Sequence, residues 1–206
     1  MTRRIVIVTA GLSEPSSTRL LADLLGNAAV EALAGQGVVA RLEVIELRPL
    51  AHALADRLLT GFATGDLAAA EEAVAQADAV IAVSPVFSAS YSGLFKTFFD
   101  VLEPGTLDGT PVLIAATAGT ARHSLVLDHA LRPLFGYLHA VVVPTGVCAA
   151  SEDFGGGGVG GSLNARIERA AAELAALVAA REQASRLDAF DRDLAAMGDF
   201  ENLLNR

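Results

Sequence analysis

The sequence predicts a doubly wound α/β domain, in which a parallel sheet lies between two layers of helices. Three observations support this prediction. Five apolar, β-branched runs alternate along the chain with segments whose apolar residues recur at helical spacing. Each run is apolar enough to be covered on both faces, as the strands of a parallel sheet are. The length of 206 residues fits one domain of ordinary size.

The elements follow one another without an internal repeat. The first strand is predicted over Ile5–Thr9 and the first helix over Thr18–Leu33. A second strand ends near Leu47, and residues 48–66 are interpreted as irregular or partly helical. The remaining predicted elements are a helix over Leu67–Ala77, a third strand over Ala79–Ser84, a helix that begins after Ser92 as its N-cap, a fourth strand over Val112–Thr117, a helix over Leu125–Leu138, a fifth strand over Val141–Val147 and a last helix over Leu163–Ala180.

Composition and charge exclude several classes of protein. The formal net charge is −9, whereas a nucleic-acid partner requires clustered Lys and Arg, so none is expected. No apolar run reaches the roughly 18 to 20 residues of a membrane span, and the run after the basic N-terminus is too short for a signal peptide. Cys148 is the single cysteine, which favours a reducing, cytoplasmic compartment. The four scattered histidines form no metal-ligand pattern, so no metal is expected.

The position of the binding site follows from the predicted sheet. Open parallel sheets bind ligands beyond the carboxyl ends of their strands, at the point where the strand order reverses. For the five-stranded order 2-1-3-4-5, this point lies between the first and third strands. The residues there are TAGLSEPSSTR, from Thr9, and SPVFSASYSG, from Ser84. Both segments are rich in small and hydroxyl-bearing side chains.

The first of these loops is interpreted as a phosphate site. It contains neither the glycine-rich dinucleotide fingerprint nor a P-loop motif. Instead, Ser13, Ser16, Ser17 and Thr18 place hydroxyls beside the free N–H groups at the start of the first helix, where the macrodipole favours an anion. Arg19 would add charge, but most of the binding would come from neutral donors. Because Ser, Thr and Pro are favoured at any helix start, this loop alone leaves an ordinary capping role open.

Two further segments supply walls for a flat ligand. Pro85, Val86 and Phe87 form a stiff apolar stretch before the small residues that begin at Ser88, and the fourth strand ends in ATAGTARH. Three such walls around one crevice fit a planar heterocycle with a phosphate tail, most plausibly FMN. The predicted cofactor-binding residues are Ser13, Ser16, Ser17, Thr18, Pro85, Val86, Phe87, Ser88, Thr117, Ala118, Gly119 and Thr120. No catalytic side chain and no metal ligand is predicted.

Three longer stretches resemble a known family. SPVFSASYSGLFKTFFDVL, LDGTPVLIAATAGTARHSLVLDHALRPLFGYLHA and TGVCAASEDFG are similar to segments of the NAD(P)H-dependent FMN reductases. They resemble particularly the reductases that supply reduced FMN to a separate monooxygenase, as in alkanesulfonate desulfonation. The resemblance covers most of residues 4–180, with the motifs in order and at the family's spacing. It implies a flavodoxin-like three-layer sandwich, with FMN and NADPH or NADH as cofactors.

The resemblance also implies a role for each wall. The hydroxyls of the first loop would hold the FMN phosphate, Pro85–Ser88 would run along the isoalloxazine ring, and Thr117–Thr120 would close its other edge. Phe87 and Ser88 stand where relatives often have Tyr and Lys. These two departures remove a hydroxyl and a cation from the surroundings of the flavin.

His129 marks a second region of interest. It stands where some members of the family have Tyr, in a segment that they use for a helical bulge at a subunit contact. Pro133 lies four residues later and lacks the N–H that the carbonyl of residue 129 would accept, so a local break in the helix is expected. A surface histidine beside a proline kink and a residue at an interface are both open interpretations of His129, and no catalytic role is assigned to it.

The expected activity is transfer of a hydride from NADPH or NADH to FMN, which requires stacked rings rather than an acid–base side chain. The expected partner is a flavin-dependent, luciferase-like monooxygenase. One alternative is an enzyme that keeps FMN bound and reduces a quinone, an azo dye or a metal oxyanion. The other is a flavodoxin-like electron carrier, although the acidic residues here are spread along helices and tail rather than concentrated on one face.

The chain is divided into a flavodoxin-like domain over residues 1–182 and an amphipathic C-terminal tail over residues 183–206. The apolar residues of the tail need a covering surface, which either the same domain or another subunit could provide. A homodimer or homotetramer is expected, with the tail and residues 125–138 as candidate contacts. The sequence leaves the choice between NADPH and NADH open.

Overall fold

A computed structural model describes residues 2–154 and 160–181, without the side chains of residues 160–162. Most of the glycine-rich run at 154–161 and the whole predicted tail at 183–206 lie outside the described residues. The strands are β1 (Thr2–Thr9), β2 (Val39–Glu46), β3 (Ala79–Phe87), β4 (Ser90–Tyr91), β5 (Pro111–Ala118), β6 (Val141–Val142) and β7 (Val147–Ala150). The α-helices are α1 (Ser17–Gly35), α2 (Ala51–Thr60), α3 (Gly65–Ala75), α4 (Gly93–Asp100), α5 (Arg132–Tyr137) and α6 (Gly160–Ala180).

The sheet has the predicted parallel topology. Its strands lie in the order β2, β1, β3, β5, β6, with β7 also paired to β5, and all of these pairings are parallel. Counting β6 and β7 as one interrupted fifth strand, this is the expected order 2-1-3-4-5 of a flavodoxin-like fold. The short β4 was not predicted and pairs antiparallel with the end of β3.

The predicted fifth strand, Val141–Val147, is wrong in its boundaries because the strand is interrupted. Three steps along β5, from Val112 to Ala115, are matched by five steps from Val142 to Val147, so part of the chain loops out of the sheet. Pro144 has no N–H to donate to the ladder. The Arg132 guanidinium donates to the carbonyl oxygens of Val143 and Pro144, at 3.0 and 2.9 Å, and thereby satisfies acceptors that the interrupted strand leaves unpaired.

The sheet is covered on both faces, as predicted. Alternate residues of β1 point to opposite layers, so that Ile5 and Ile7 pack among the residues of α1 and α6, while Val6 and Val8 pack against α3, α4 and α5. The second layer contains an aromatic cluster of Phe95, Phe98, Phe99 and Phe135, which are at most 2% exposed. None of the helices in the described ranges is long and apolar enough to span a membrane.

The helical segments differ from expectation in two places. Residues 48–66, interpreted as irregular or partly helical, contain the whole of α2. Its N-cap is Leu50, which makes no side-chain capping bond, so the sequence carries no start signal there. The helix predicted over Leu125–Leu138 begins as a π turn at Leu127–Leu131, closed by the Arg132 N–H donating to the carbonyl of Leu127. The expected break before Pro133 is therefore present, and His129 lies exposed within this turn.

Candidate functional site

The three predicted walls lie at one edge of the sheet. They follow β1, β3 and β5, which are adjacent parallel strands, so their carboxyl ends meet at the same edge. β1 is paired with β2 on one side and with β3 on the other, so the direction in which strands are added reverses between β1 and β3. The crevice between β1 and β3 is therefore the reversal point at which open α/β sheets bind ligands.

The first loop ends in a well-defined helix cap. The Ser16 Oγ accepts a hydrogen bond from the Arg19 N–H at 3.2 Å, and Ser16 has the extended backbone of an N-cap residue. A hydroxyl that accepts one bond still has its own proton to donate. Ser13 and Ser17 are exposed on either side. The start of α1 therefore offers hydroxyl donors beside the positive end of a helix of 19 residues.

Two further observations show how this loop fits a phosphate. A Cβ built on Gly11 would lie 2.0 Å from the Ser16 Oγ, so only glycine lets the loop close over the cap. At the base of the loop, the Thr9 Oγ1 is buried and has no hydrogen-bond partner in the parts of the chain described. Buried hydroxyls are rarely left unpaired, so Thr9 is a donor still available at this edge.

The cations near the loop are already neutralised by acids. The Arg19 Nε lies 2.9 Å from the Asp23 Oδ1, and the same guanidinium also contacts Glu46. The hydrogen bond with Asp23 is the largest cause of a raised pKa for Arg19. Arg48 is paired with Glu14 at 2.6 Å. An anion in this loop would therefore meet mainly hydroxyls and backbone N–H groups.

Thr18 differs from the other three predicted hydroxyls. Its Oγ1 lies 2.7 Å from the Oγ1 of Thr117, and the two residues are only 3% and 6% exposed. One hydroxyl of the pair must donate to the other. This bond joins the first residues of α1 to the end of β5 across 99 positions of sequence. It fixes the first loop and the start of α1 relative to the wall formed by Thr117–Thr120.

We expect replacement of Thr18 by valine to lower the free energy of unfolding by about 1–3 kcal/mol, because valine has the same shape and leaves the Thr117 hydroxyl buried without a partner. Thr117→Val should cost a similar amount. The double variant should be close to the less damaging single variant, since both hydroxyls are then gone. Urea unfolding of the four proteins measures this coupling.

Thr97→Val provides the matched control for this cycle. The Thr97 hydroxyl is exposed and bonds to the carbonyl of Gly93 in its own helix, so its loss should change stability by less than about 0.5 kcal/mol. Strictly additive costs for Thr18→Val and Thr117→Val would show that the two hydroxyls do not support each other.

The second wall is a hairpin that projects beyond the parallel sheet. Val86 and Phe87, at the end of β3, pair with the two residues of β4 rather than with β1 or β5. The turn between them consists of Ser88 and Ala89, both at positive φ, of 48° and 65°. Two such residues are the signature of a type I′ turn, which normally favours Asn or Gly. Phe87 is 47% exposed, so its ring is free to contact a flat ligand.

A buried serine holds the hairpin to the sheet. The Ser84 hydroxyl donates to the carbonyl of Pro85 and accepts the N–H of Ser92, both at 2.9 Å. Ser92 in turn caps α4 as predicted, because its Oγ accepts the N–H of Phe95 at 3.1 Å. One short network of hydrogen bonds therefore connects the end of β3, the hairpin and the first turn of α4.

The third wall ends in a short 3₁₀ turn over Ala121–His123. The Thr120 Oγ1 accepts the N–H of Arg122 at 3.4 Å and caps this turn. On the outer side, Ala149 and Ala150 of β7 lie beside Thr117 and Ala118. The sequence interpretation did not include these alanines, since the predicted fifth strand ended at Val147, three residues before the end of β7. Their small side chains extend the wall without filling the crevice.

Cys148 occupies the position of a small apolar residue rather than of a nucleophile. It lies in β7, is 5% exposed and pairs with Ala116. Burial raises the pKa of its thiol, which disfavours the reactive thiolate.

A cavity of about 470 Å³ lies at the opposite edge of the sheet. It is lined by residues 99–108 before β5 and by residues 137–139 before β6. These segments lie at the amino ends of their strands, away from the edge at which such folds bind ligands. The site is therefore assigned to the carboxyl edge.

A family described as NADPH-dependent FMN reductase matches residues 3–155 of this chain. The chain belongs to this family. The match covers all three walls of the crevice and confirms the resemblance based on the motifs. It also confirms FMN and a reduced nicotinamide as the cofactors of this NAD(P)H-dependent flavin reductase.

Individual relatives of this FMN reductase agree in length and fold. An FMN reductase (NADPH) from Pseudomonas aeruginosa is 40% identical over 181 residues, covering 87% of this chain and 95% of its own. An NADH-dependent FMN reductase, SfnF, from Pseudomonas fluorescens is also 40% identical, over 73% of this chain and 78% of its own. An oxidoreductase of known structure from Corynebacterium diphtheriae is 49% identical, with a TM-score of 0.85 over 88% of this chain and 99% of its own.

Proposed function

We propose that this FMN reductase uses FMN as a substrate and releases the reduced flavin to a separate flavin-dependent monooxygenase. One observation carries the proposal. Both arginines beside the phosphate loop are engaged by acids, which supports a site where the phosphate of FMN is held mainly by neutral donors. A free guanidinium would add its own positive charge and a pair of parallel N–H donors to the phosphate, and this loop offers neither. Such a site fits a flavin that enters and leaves.

The proposed roles of the chain are binding and orientation. FMN, when bound, supplies the ring nitrogen that accepts the hydride of the nicotinamide. Ser13, Ser16 and Ser17 donate to its phosphate, and the Phe87 hairpin supports the ring. Backbone N–H groups of Ala118–Thr120 lie where they can stabilise negative charge on the reduced ring. No side chain has to transfer a proton, which agrees with the absence of a predicted acid or base.

The names of the relatives support the same proposal. Relatives that are 40%, 40% and 35% identical to this chain are described as NADPH-dependent or NADH-dependent FMN reductases, and each of these names gives FMN as the molecule reduced. A monooxygenase of the luciferase-like class is the proposed consumer of the product. Self-association to a dimer or tetramer is also proposed, since Leu125 and Tyr137 are 62% and 81% exposed within the predicted contact segment, residues 125–138.

Steady-state oxidation of NADPH and NADH by the purified protein tests the proposed use of FMN. We expect oxidation to depend on added FMN and to saturate with it, because the neutral phosphate site leaves much of the protein free of flavin. A visible spectrum followed by FMN titration gives the affinity independently. A yellow protein that turns over without added FMN, and faster with quinones, would instead support a resident flavin. Bound FMN without any NAD(P)H oxidation would support an electron carrier.

A further inference from the structure

One arginine at the carboxyl edge of the sheet has no side-chain partner among the residues that the structure describes. Most arginines in the described ranges form an ion pair or donate a side-chain hydrogen bond. Arg41, Arg122 and Arg169 are the exceptions among those residues, and all three are exposed. Arg41 lies in β2 and Arg169 within α6. Only Arg122 follows directly on a wall of the site.

The backbone around Arg122 is held while its side chain is free. Its N–H donates to the Thr120 Oγ1 at 3.4 Å, and the N–H groups of His123 and Ser124 donate to the carbonyls of Thr120 and Ala121 at 3.3 and 3.1 Å. The segment thus turns tightly just after β5. A guanidinium fixed at its base and unpaired at its end can bind a ligand without first breaking a bond within the protein.

The FMN phosphate is not the anion that this arginine would meet. The phosphate loop follows β1, whereas Arg122 follows β5, and β3 lies between the two strands. Adjacent strands are about 4.8 Å apart, so the two segments are separated by roughly 10 Å along the sheet. With the flavin phosphate at the start of α1, the arginine lies toward the far end of the ring.

The anion that Arg122 would bind belongs to the second substrate, the nicotinamide dinucleotide. Every nicotinamide dinucleotide carries a pyrophosphate, and NADPH carries in addition a phosphate monoester on a ribose 2′-oxygen. A terminal monoester at the protein surface can accept the parallel N–H groups of a guanidinium, which is the geometry that arginine offers to phosphates. The chain carries a net charge of −9, so without a local cation this extra phosphate would be repelled.

We propose that Arg122 binds the 2′-phosphate of NADPH and makes this enzyme prefer NADPH over NADH. The inference rests on the proposed reductase function and specifies its nicotinamide substrate. His123, also exposed, lies next to Arg122.

The test compares KM and kcat for NADPH and NADH in the wild type and in Arg122→Gln. We expect the KM for NADPH to rise about tenfold, as for the loss of a charge-assisted hydrogen bond, with kcat little changed and the KM for NADH within about twofold of wild type. Arg122→Lys should recover part of the preference, because lysine keeps the charge without the fork. Arg41→Gln, which removes another unpaired arginine far from the site, should alter neither KM.

Binding of fragments provides a readout that needs no flavin and no turnover. Calorimetry should show that the wild type binds 2′-phospho-ADP-ribose more tightly than ADP-ribose, and that Arg122→Gln binds both equally. An equal rise in KM for both dinucleotides would assign Arg122 to the pyrophosphate and overturn the proposal. Unchanged KM values in Arg122→Gln would overturn it as well. A wild-type protein that oxidises neither dinucleotide with FMN would contradict the reductase function itself, whereas a change in the KM ratio alone concerns only Arg122.

Discussion

Replacement of Gly11 by alanine is expected to raise the KM for FMN by roughly ten- to a hundredfold, the range that corresponds to losing one or two hydrogen bonds to a charged group. The added Cβ would lie 2.0 Å from the Ser16 Oγ, 3.1 Å from the Ser16 Cβ and 3.2 Å from the Thr18 Cβ. Rotation of the Ser16 side chain relieves only the first of these contacts. The loop must therefore move away from the start of α1, and the hydroxyls proposed to bind the phosphate move with it.

The same substitution should also reduce stability. Moving the Ser16 Oγ breaks its bond to the Arg19 N–H, and loss of a helix N-cap costs about 1 kcal/mol. Steady-state kinetics with varied FMN and urea unfolding of the flavin-free protein measure the two effects separately.

Gly35→Ala is the matched control for this prediction. Gly35 is the last residue of the same helix, and a Cβ there meets nothing within 4 Å. We expect neither the KM for FMN nor the stability of this variant to fall outside the error of wild type. A Gly11→Ala protein with a wild-type KM for FMN would show that the loop does not hold the phosphate.

Truncation of Phe95 to alanine is expected to lower the free energy of unfolding by about 3–5 kcal/mol, the usual cost of removing a fully buried aromatic ring. Phe95 is 0% exposed, and its ring centroid lies 4.8 Å from that of Phe99, 6.3 Å from that of Phe135 and 5.8 Å from that of Tyr91. The ring therefore joins α4, α5 and the hairpin of the site. Removal of the ring leaves a cavity between these three elements, which cannot all move inward to fill it.

Phe87→Ala is the matched control, because it makes the same substitution at a position on the hairpin that is 47% exposed. Its stability should change by less than about 1 kcal/mol, since an exposed ring has little packing to lose. Thermal and urea unfolding of both variants give the comparison. If Phe95→Ala lowered the free energy of unfolding by as little as is expected for Phe87→Ala, the aromatic cluster would not stabilise the fold.

The architecture was predictable because it depends on patterns that are local in sequence. Apolar runs of strand length and apolar residues at helical spacing specify the alternation of elements, and Ser92 marks the start of α4 by a capping bond that the structure contains. The break before Pro133 follows from a missing N–H group. Each of these features requires knowledge of only a few neighbouring residues.

The features that were missed depend on residues far apart or on weak signals. The Thr18–Thr117 bond joins positions 99 residues apart, and no local pattern indicates it. The hairpin turn uses Ser88 and Ala89 at positive φ instead of the Asn and Gly that announce such turns. The helix α2 has no capping side chain at its start. Only the interruption of the fifth strand had an unused signal, Pro144.

The candidate site was predictable as a location more than as a set of contacts. The order of strands fixes the edge, and the small and hydroxyl-bearing residues identify the three walls. The pairing of Arg19 with Glu46 could not be derived from the chain alone, because Arg19 lies in α1 and Glu46 at the end of β2. That pairing supports the proposal that the phosphate meets mainly neutral groups. The direct binding roles of Ser13, Ser16, Ser17 and the ring wall remain predictions.

The length of β3 has a consequence for motion at the site. Its last two residues, Val86 and Phe87, continue beyond the parallel ladder and are paired only with two residues of β4. A two-stranded ribbon of this size is marginal by itself, so it opens locally at a lower free energy than the central strands. Its amide hydrogens should therefore exchange with solvent sooner than those of β1. In the proposed site, the sheet sets the place of the flavin ring, while the ribbon can give way when a nicotinamide stacks upon it.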